Sequence, residues 1–176
     1  ALSAAHVTRL RPNFLICSER SGSNLIRSIL NAHPALYAPD PIHLGAFWER
    51  IAEFGDLGDD RRGRALLGAI VEFLSTWKGT LHPALVLDVE RLDAEIERRE
   101  FVAIYEHIYA RGLALSGKAE LFIKENHTAQ RAPLLLAAFP TARFVYQTRD
   151  PRDFLASCKQ MPSYKYGSAA AALAVW

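Results

Sequence analysis

Cysteine is scarce in this chain. Cys17 and Cys158 are the only two among 176 residues, too few for a disulfide framework, and they read as two reduced, mostly buried thiols. No Cys/His set has the spacing of a zinc site. No apolar run reaches the roughly 20 residues that cross a bilayer. The opening Ala-Leu-Ser-Ala-Ala-His-Val-Thr-Arg-Leu lacks the long apolar core of a signal peptide. Met is absent from position 1, as in a processed or excised N-terminus. Net charge is only +2, too small to argue for nucleic acid as a partner. Internal repeats and low-complexity linkers are absent as well. What remains is a half-apolar chain with 23% charged residues, ordinary for a globular protein and long enough for one domain with a core. The reading is one cytoplasmic domain over residues 1–176, with neither a membrane nor a nucleic acid among its partners.

The first positive signal is Phe14-Leu-Ile-Cys-Ser-Glu-Arg-Ser-Gly-Ser-Asn24, an apolar run that stops at a short polar loop. Helical spacing follows at once in Leu25, Ile26, Ile29 and Leu30. A strand that opens through a small-residue turn into a helix is the architecture of a phosphate cradle. Loop N–H groups and the helix N-terminus aim positive character at one spot. Gly-Lys-Ser/Thr is missing, so this is no Walker A loop. Arg20 stands before Ser21-Gly22 instead.

The second signal is Pro140-Thr-Ala-Arg-Phe-Val-Tyr-Gln-Thr-Arg-Asp-Pro-Arg-Asp-Phe-Leu-Ala-Ser-Cys-Lys159. Phe144, Val145 and Tyr146 are strand formers. Asp150-Pro151 is a helix start, with Asp as N-cap and Pro at the first helical position. Arg149 therefore ends a strand, and Ser157 lies about two turns into the next helix. The two can converge on one anion.

Together these blocks resemble the sulfotransferases that use 3′-phosphoadenosine 5′-phosphosulfate (PAPS), over residues 12–45 and 118–160. The resemblance implies that Arg20, Ser21, Gly22, Ser23 and Asn24 hold the 5′-phosphosulfate. It implies that Arg149 and Ser157, with the family's spacing, hold the 3′-phosphate. It also implies a catalytic Lys124 at the end of Leu121-Phe122-Ile123-Lys124, since ligands in open parallel sheets sit at strand carboxyl ends. Departures are Glu19 where Pro is frequent, Asn24 where a hydroxyl residue is frequent, Glu125-Asn126 after Lys124, and Pro41 where some members have Glu. Family members continue well beyond the length of this chain, so its C-terminus is expected to be incomplete.

The fold this implies is α/β and three-layered: a P-loop-like central parallel sheet between helices, with a helical insertion over about 44–117. Strands are expected near 13–18, 120–124 and 143–148, with a short edge strand at Leu36-Tyr37. Helices are expected near 23–32, 44–55, 61–77, around Val89 to Ile96, 101–115, 132–139, from Pro151, and 168–176. In the 61–77 helix, Leu66, Ile70, Phe73, Leu74 and Trp77 form the inward stripe. Pro133 is placed in a first helical turn, where it is tolerated.

Sulfuryl transfer needs fixed cations at the leaving phosphate and a base for the acceptor. Arg20 and Lys124 supply the cations without a metal. Asp40, His43 and His127 are the candidate bases. The basic cluster Arg61, Arg62 and Arg64 is a solvated helix start or an aid to an anionic acceptor. The acceptor, a small molecule or carbohydrate, presents a hydroxyl or amine. The alternative is a non-catalytic PAPS-binding or degenerate homologue that also binds the product, adenosine 3′,5′-bisphosphate (PAP). A P-loop kinase is disfavoured, since no Walker B acid is evident.

Overall fold

The computed structural model describes residues 10–96, 100–160 and 166–174. The last two residues of the helix expected over 168–176 lie outside them. Four parallel strands form the sheet in the order β2-β3-β1-β4: β1 (Asn13–Cys17), β2 (Leu36–Tyr37), β3 (Glu120–Lys124) and β4 (Arg143–Gln147). Register places Leu15 opposite both Lys124 and Val145, and Cys17 opposite Gln147. The carboxyl ends of β1, β3 and β4 therefore form one edge. Parallel strands need crossovers, which α1 (Ser23–Ala32), α6 (Thr128–Ala138) and the long insertion provide.

The insertion holds a 3₁₀ segment (Leu44–Glu49), α2 (Ile51–Phe54), α3 (Asp60–Thr76), α4 (Val89–Glu95) and α5 (Phe101–Ser116). Side-chain caps start two of them: Asp59 accepts from Arg62 N, and Asp88 from Arg91 N. Gly117, left-handed at φ 67°, ends α5. Beyond β4 come α7 (Pro151–Lys159), capped by Asp150, and α8 (Ala169–Leu173), capped by Ser168.

One face of β1 carries the main core. Phe14 stacks on Phe144 at 5.5 Å and meets Phe139 at 6.0 Å. Tyr105 joins Phe139 to Tyr109. The other face buries Leu15 with Ala38 and Phe122 beneath Leu30 of α1. Truncating a buried aromatic such as Phe14 costs about 3–5 kcal/mol.

Three expectations change. The 44–55 helix is a 3₁₀ segment followed by a short α2, because its first turn is pinned from outside: Gly45 N donates to buried Glu125. Trp77 leaves the inward stripe. It caps the end of α3, is 40% exposed, and its indole N–H donates to Pro41 O; Leu67 is buried in the stripe instead. Helix α6 starts at Thr128, a turn before the expected 132, and takes Pro133 into its interior. Thr128 Oγ1 bonded to Glu125 O and buried Arg131 bonded to Asn126 O anchor that extra turn. These bonds offset the ladder bond that Pro133 cannot make. Among the described residues, no helix is long and apolar enough to cross a membrane.

Candidate active site

The cradle grows out of β1. After Cys17 the chain turns through Arg20 (φ 64°) and Gly22 (φ 90°), both left-handed, into α1. Such turns point successive N–H groups into a concavity that suits an anion. Gly22 is the N-cap residue. It brings no side-chain cap, and α1 has no acid in its first turn. A helix N-terminus without these partners leaves its first N–H groups to a ligand or water. Ser21 Oγ is buried and meets no hydrogen-bond partner in the protein. An uncapped helix start and an orphaned hydroxyl fit an anion with several oxygens.

The downstream block closes on the same spot. Arg20 Nε donates to Ser157 Oγ at 3.1 Å, and Arg149 Nη1 donates to Arg20 O at 2.9 Å. Gln147 Nε2 donates to Ser21 O at 2.9 Å and so ties β4 to the loop, while its Oε1 is buried without a partner. A cavity of about 160 Å³ is lined by Arg20, Gly22, Ser23, Asn24, Arg149 and Ser157. The two sequence blocks are thus one concave surface. Arg152, in contrast, faces solvent and pairs with Asp150 at 2.7 Å.

Beside the cradle lies a cluster organised by Asn126. Lys124 Nζ donates to Asn126 Oδ1 at 3.1 Å, and Asn126 Nδ2 donates to Glu19 Oε1 at 3.3 Å. The Asn126 main-chain N–H makes a long contact to His43 Nδ1 at 3.5 Å, and its carbonyl accepts from Arg131 Nη1. Burial lowers the proton affinity of Lys124, and nearby Arg27 adds to this. Burial, then the charges of Lys124, Arg131 and His127, push His43 down to about 4. Its imidazole is therefore neutral at pH 7. The ring meets Trp77 edge-on at 4.9 Å.

His127 opens α6 close enough for its charge to reach His43. Asp40 is held elsewhere, paired with Arg27 of α1 at 2.9 Å. Among the described residues the only non-glycine positions with positive φ are Arg20, His43 and His127. All three were nominated from sequence. Left-handed backbone costs roughly 1–3 kcal/mol outside glycine and persists where surrounding structure enforces it. His43 and His127 are the N-cap residues of their helices, and Arg20 lies in the loop just before α1.

Sequence reasoning missed Asn126, Gln147 and Glu125. Glu125 is buried, and its carboxylate accepts from Gly45 N at 3.0 Å and Tyr109 OH at 2.7 Å. It fixes the segment after His43 to the strand end that carries Lys124. A polar pair after a strand-end lysine was the available signal for Glu125 and Asn126. Of the basic cluster, Arg64 pairs with Glu90 and Asp93. No group of three His, Cys, Asp or Glu among the described residues is arranged to hold a metal.

A parallel α/β sheet with a concave small-residue loop at its carboxyl edge, and an arginine–serine pair from a second block closing on it, is an arrangement that suits an anion. The chain belongs to the Sulfotransferase family, whose model matches residues 12–176. A solved structure, the sulfotransferase domain from the Synechococcus PCC 7002 olefin synthase, superposes with a TM-score of 0.59 at 23% identity. The match covers 98% of this chain and 60% of that one, so the chain spans less than two thirds of that chain's length; the likeness is one of fold. No curated protein matches.

Proposed function

We propose that this protein transfers a sulfuryl group from PAPS to a hydroxyl or amine of a small-molecule or carbohydrate acceptor, leaving PAP. The observation that carries the proposal is the shared cavity of Arg20, Gly22, Ser23, Asn24, Arg149 and Ser157. The donor supplies an activated sulfuryl group on a phosphate leaving group. Arg20, Ser21, Gly22, Ser23 and Asn24 hold the 5′-phosphosulfate through main-chain N–H groups and one guanidinium. Arg149 and Ser157 hold the 3′-phosphate, the arginine through two parallel N–H donors. Arg20 and Lys124 stabilise negative charge growing on the leaving phosphate oxygen, so no metal is needed for that role. In support of this role, Lys124 ends β3 and its Nζ donates to Asn126 Oδ1.

The sequence candidates for the base have unequal settings. Asp40 spends its charge on Arg27. The Asn126 N–H facing His43 Nδ1 at 3.5 Å favours the tautomer of neutral His43 with its proton on Nε2. That makes His43 a hydrogen-bond donor toward the acceptor or a sulfuryl oxygen. His127 remains a candidate beside it. The two thiols, both free, suit a reducing compartment such as the cytoplasm. The test is transfer of labelled sulfate from PAPS to a panel of hydroxyl and amine acceptors. Label in any acceptor supports the reading. PAP binding without transfer to any of them, or to water, supports a non-catalytic binder.

A further inference from the structure

Lys124 is a buried cation at the end of β3. Among the described residues its ammonium makes no ion pair and has one hydrogen-bond acceptor, Asn126 Oδ1 at 3.1 Å. A buried charge is costly unless it is paired or well bonded, so a cation held this way needs a reason. An ammonium carries three donors and no acceptor. One donor is taken by Asn126, and two remain for a ligand.

The main chain that carries Asn126 is fixed without help from its side chain. The Asn126 carbonyl accepts from Arg131 Nη1 at 2.9 Å, and Arg131 Nε donates to Glu49 at 3.0 Å. Thr128 Oγ1 donates to Glu125 O, while the Glu125 carboxylate faces the core with Gly45 and Tyr109. The Asn126 amide then has one orientation that serves both neighbours. Its oxygen accepts from the Lys124 ammonium, and its nitrogen donates to the Glu19 carboxylate at 3.3 Å. A carboxylate at position 126 would neutralise the lysine. An apolar side chain would leave the ammonium without its acceptor. A neutral amide holds the ammonium in place and leaves its charge intact.

Resting on the sulfotransferase reading, we propose that Asn126 is the positioning residue for Lys124, a neutral anchor that aims an un-neutralised ammonium at the leaving phosphate. In the transfer step the acceptor's electron pair bonds sulfur, and its proton passes to a base or to solvent. The bond from sulfur to the 5′-phosphate oxygen breaks, and its electron pair stays on that oxygen. The free N–H donors of Lys124 meet the charge that grows there. Preorganised donors help because they need no rearrangement as the charge develops. Asn126 touches none of the reacting atoms and acts only through the lysine.

The experiment is a double-mutant cycle on Asn126→Leu, which offers no acceptor at similar size, and Lys124→Ala. The readouts are PAP release from PAPS, with 4-nitrophenol or water as acceptor, and calorimetric PAP binding. Lys124→Ala should lose about 10²–10³-fold in kcat, the usual effect of removing one donor at a growing charge. Asn126→Leu should lose at least about tenfold in kcat, the scale of one hydrogen bond. Its KM for PAPS and its PAP affinity should stay within about threefold of wild type, because the ground-state contacts lie in the cradle. The double variant should match Lys124→Ala within about threefold, since two residues acting through one group do not add. Losses that multiply in the double variant overturn the proposal, as does an N126L kcat within threefold of wild type. A rate loss in N126L matched by lost PAP affinity marks a structural role and also overturns it. A wild type that binds PAP without turning over PAPS overturns this proposal and leaves the donor site standing. A wild type that binds no PAP overturns the donor reading and this proposal with it.

Discussion

Arg149 reaches across 129 positions of sequence to donate from Nη1 to the main-chain carbonyl of Arg20. That bond, with Arg20 Nε on Ser157 Oγ, is what makes two distant blocks a single cavity wall. It also positions the Arg149 guanidinium over the loop that turns into α1.

Arg149→Ala should weaken PAP binding by about 2–4 kcal/mol, the cost of losing one charge-assisted partner at a desolvated anion. Arg149→Lys should recover little of it, because a lysine cannot offer two parallel donors. Calorimetric titration reads both. An alanine variant with wild-type affinity would remove Arg149 from the site.

His43 gives a pH prediction with a definite sign. Its ordinary value is 6.5 and burial pushes it to about 4 in the fold. The unfolded chain therefore binds the proton more readily across that window. Stability from His43 is full above about 6.5 and is lost as pH falls through about 4. NMR should show a neutral His43 ring at pH 5.5, and His43→Gln should flatten the stability slope between those values. A ring that titrates near 6.5 would contradict the packing against Trp77.

The Glu125 network should show itself in stability. Tyr109→Phe removes the hydroxyl that donates to buried Glu125 at 2.7 Å. The expected loss is about 1–3 kcal/mol. It would be read as a lower urea midpoint with an unchanged m-value. An unchanged midpoint would mean that the carboxylate finds another partner.

Chelation tests the role given to the cations. With Arg20 and Lys124 neutralising the leaving phosphate, turnover of PAPS should be unaffected by EDTA. Complete loss, restored by magnesium, would favour triphosphate-type chemistry instead.

The cradle was legible because it is local. Strand, loop and helix follow one another in residues 13–32, and Gly22 announces a turn that only a positive φ makes easily. Arg149 and Ser157 were legible through the Asp150-Pro151 helix start, which fixes their separation whatever the rest of the chain does. Non-local contacts stayed hidden. Nothing near Gly45 in sequence says that its N–H will find Glu125, which breaks the expected 44–55 helix. The early start of α6 likewise depends on Arg131 reaching Glu49 and Asn126. Trp77 follows the helical stripe in spacing, yet the carbonyl of Pro41 draws it to the end of α3. The cluster around Asn126, built from such contacts, was the least readable.

The central claim is that one cavity reads both the 5′ and 3′ ends of the donor nucleotide. The most direct measurement is calorimetric titration of the wild-type protein with PAP and, separately, with adenosine 5′-monophosphate, which lacks the 3′-phosphate. The account predicts that PAP binds at least about thirtyfold more tightly, the equivalent of roughly 2 kcal/mol, the lower end of the loss expected for Arg149→Ala. Equal affinity for the two ligands, or no binding of PAP, would contradict it.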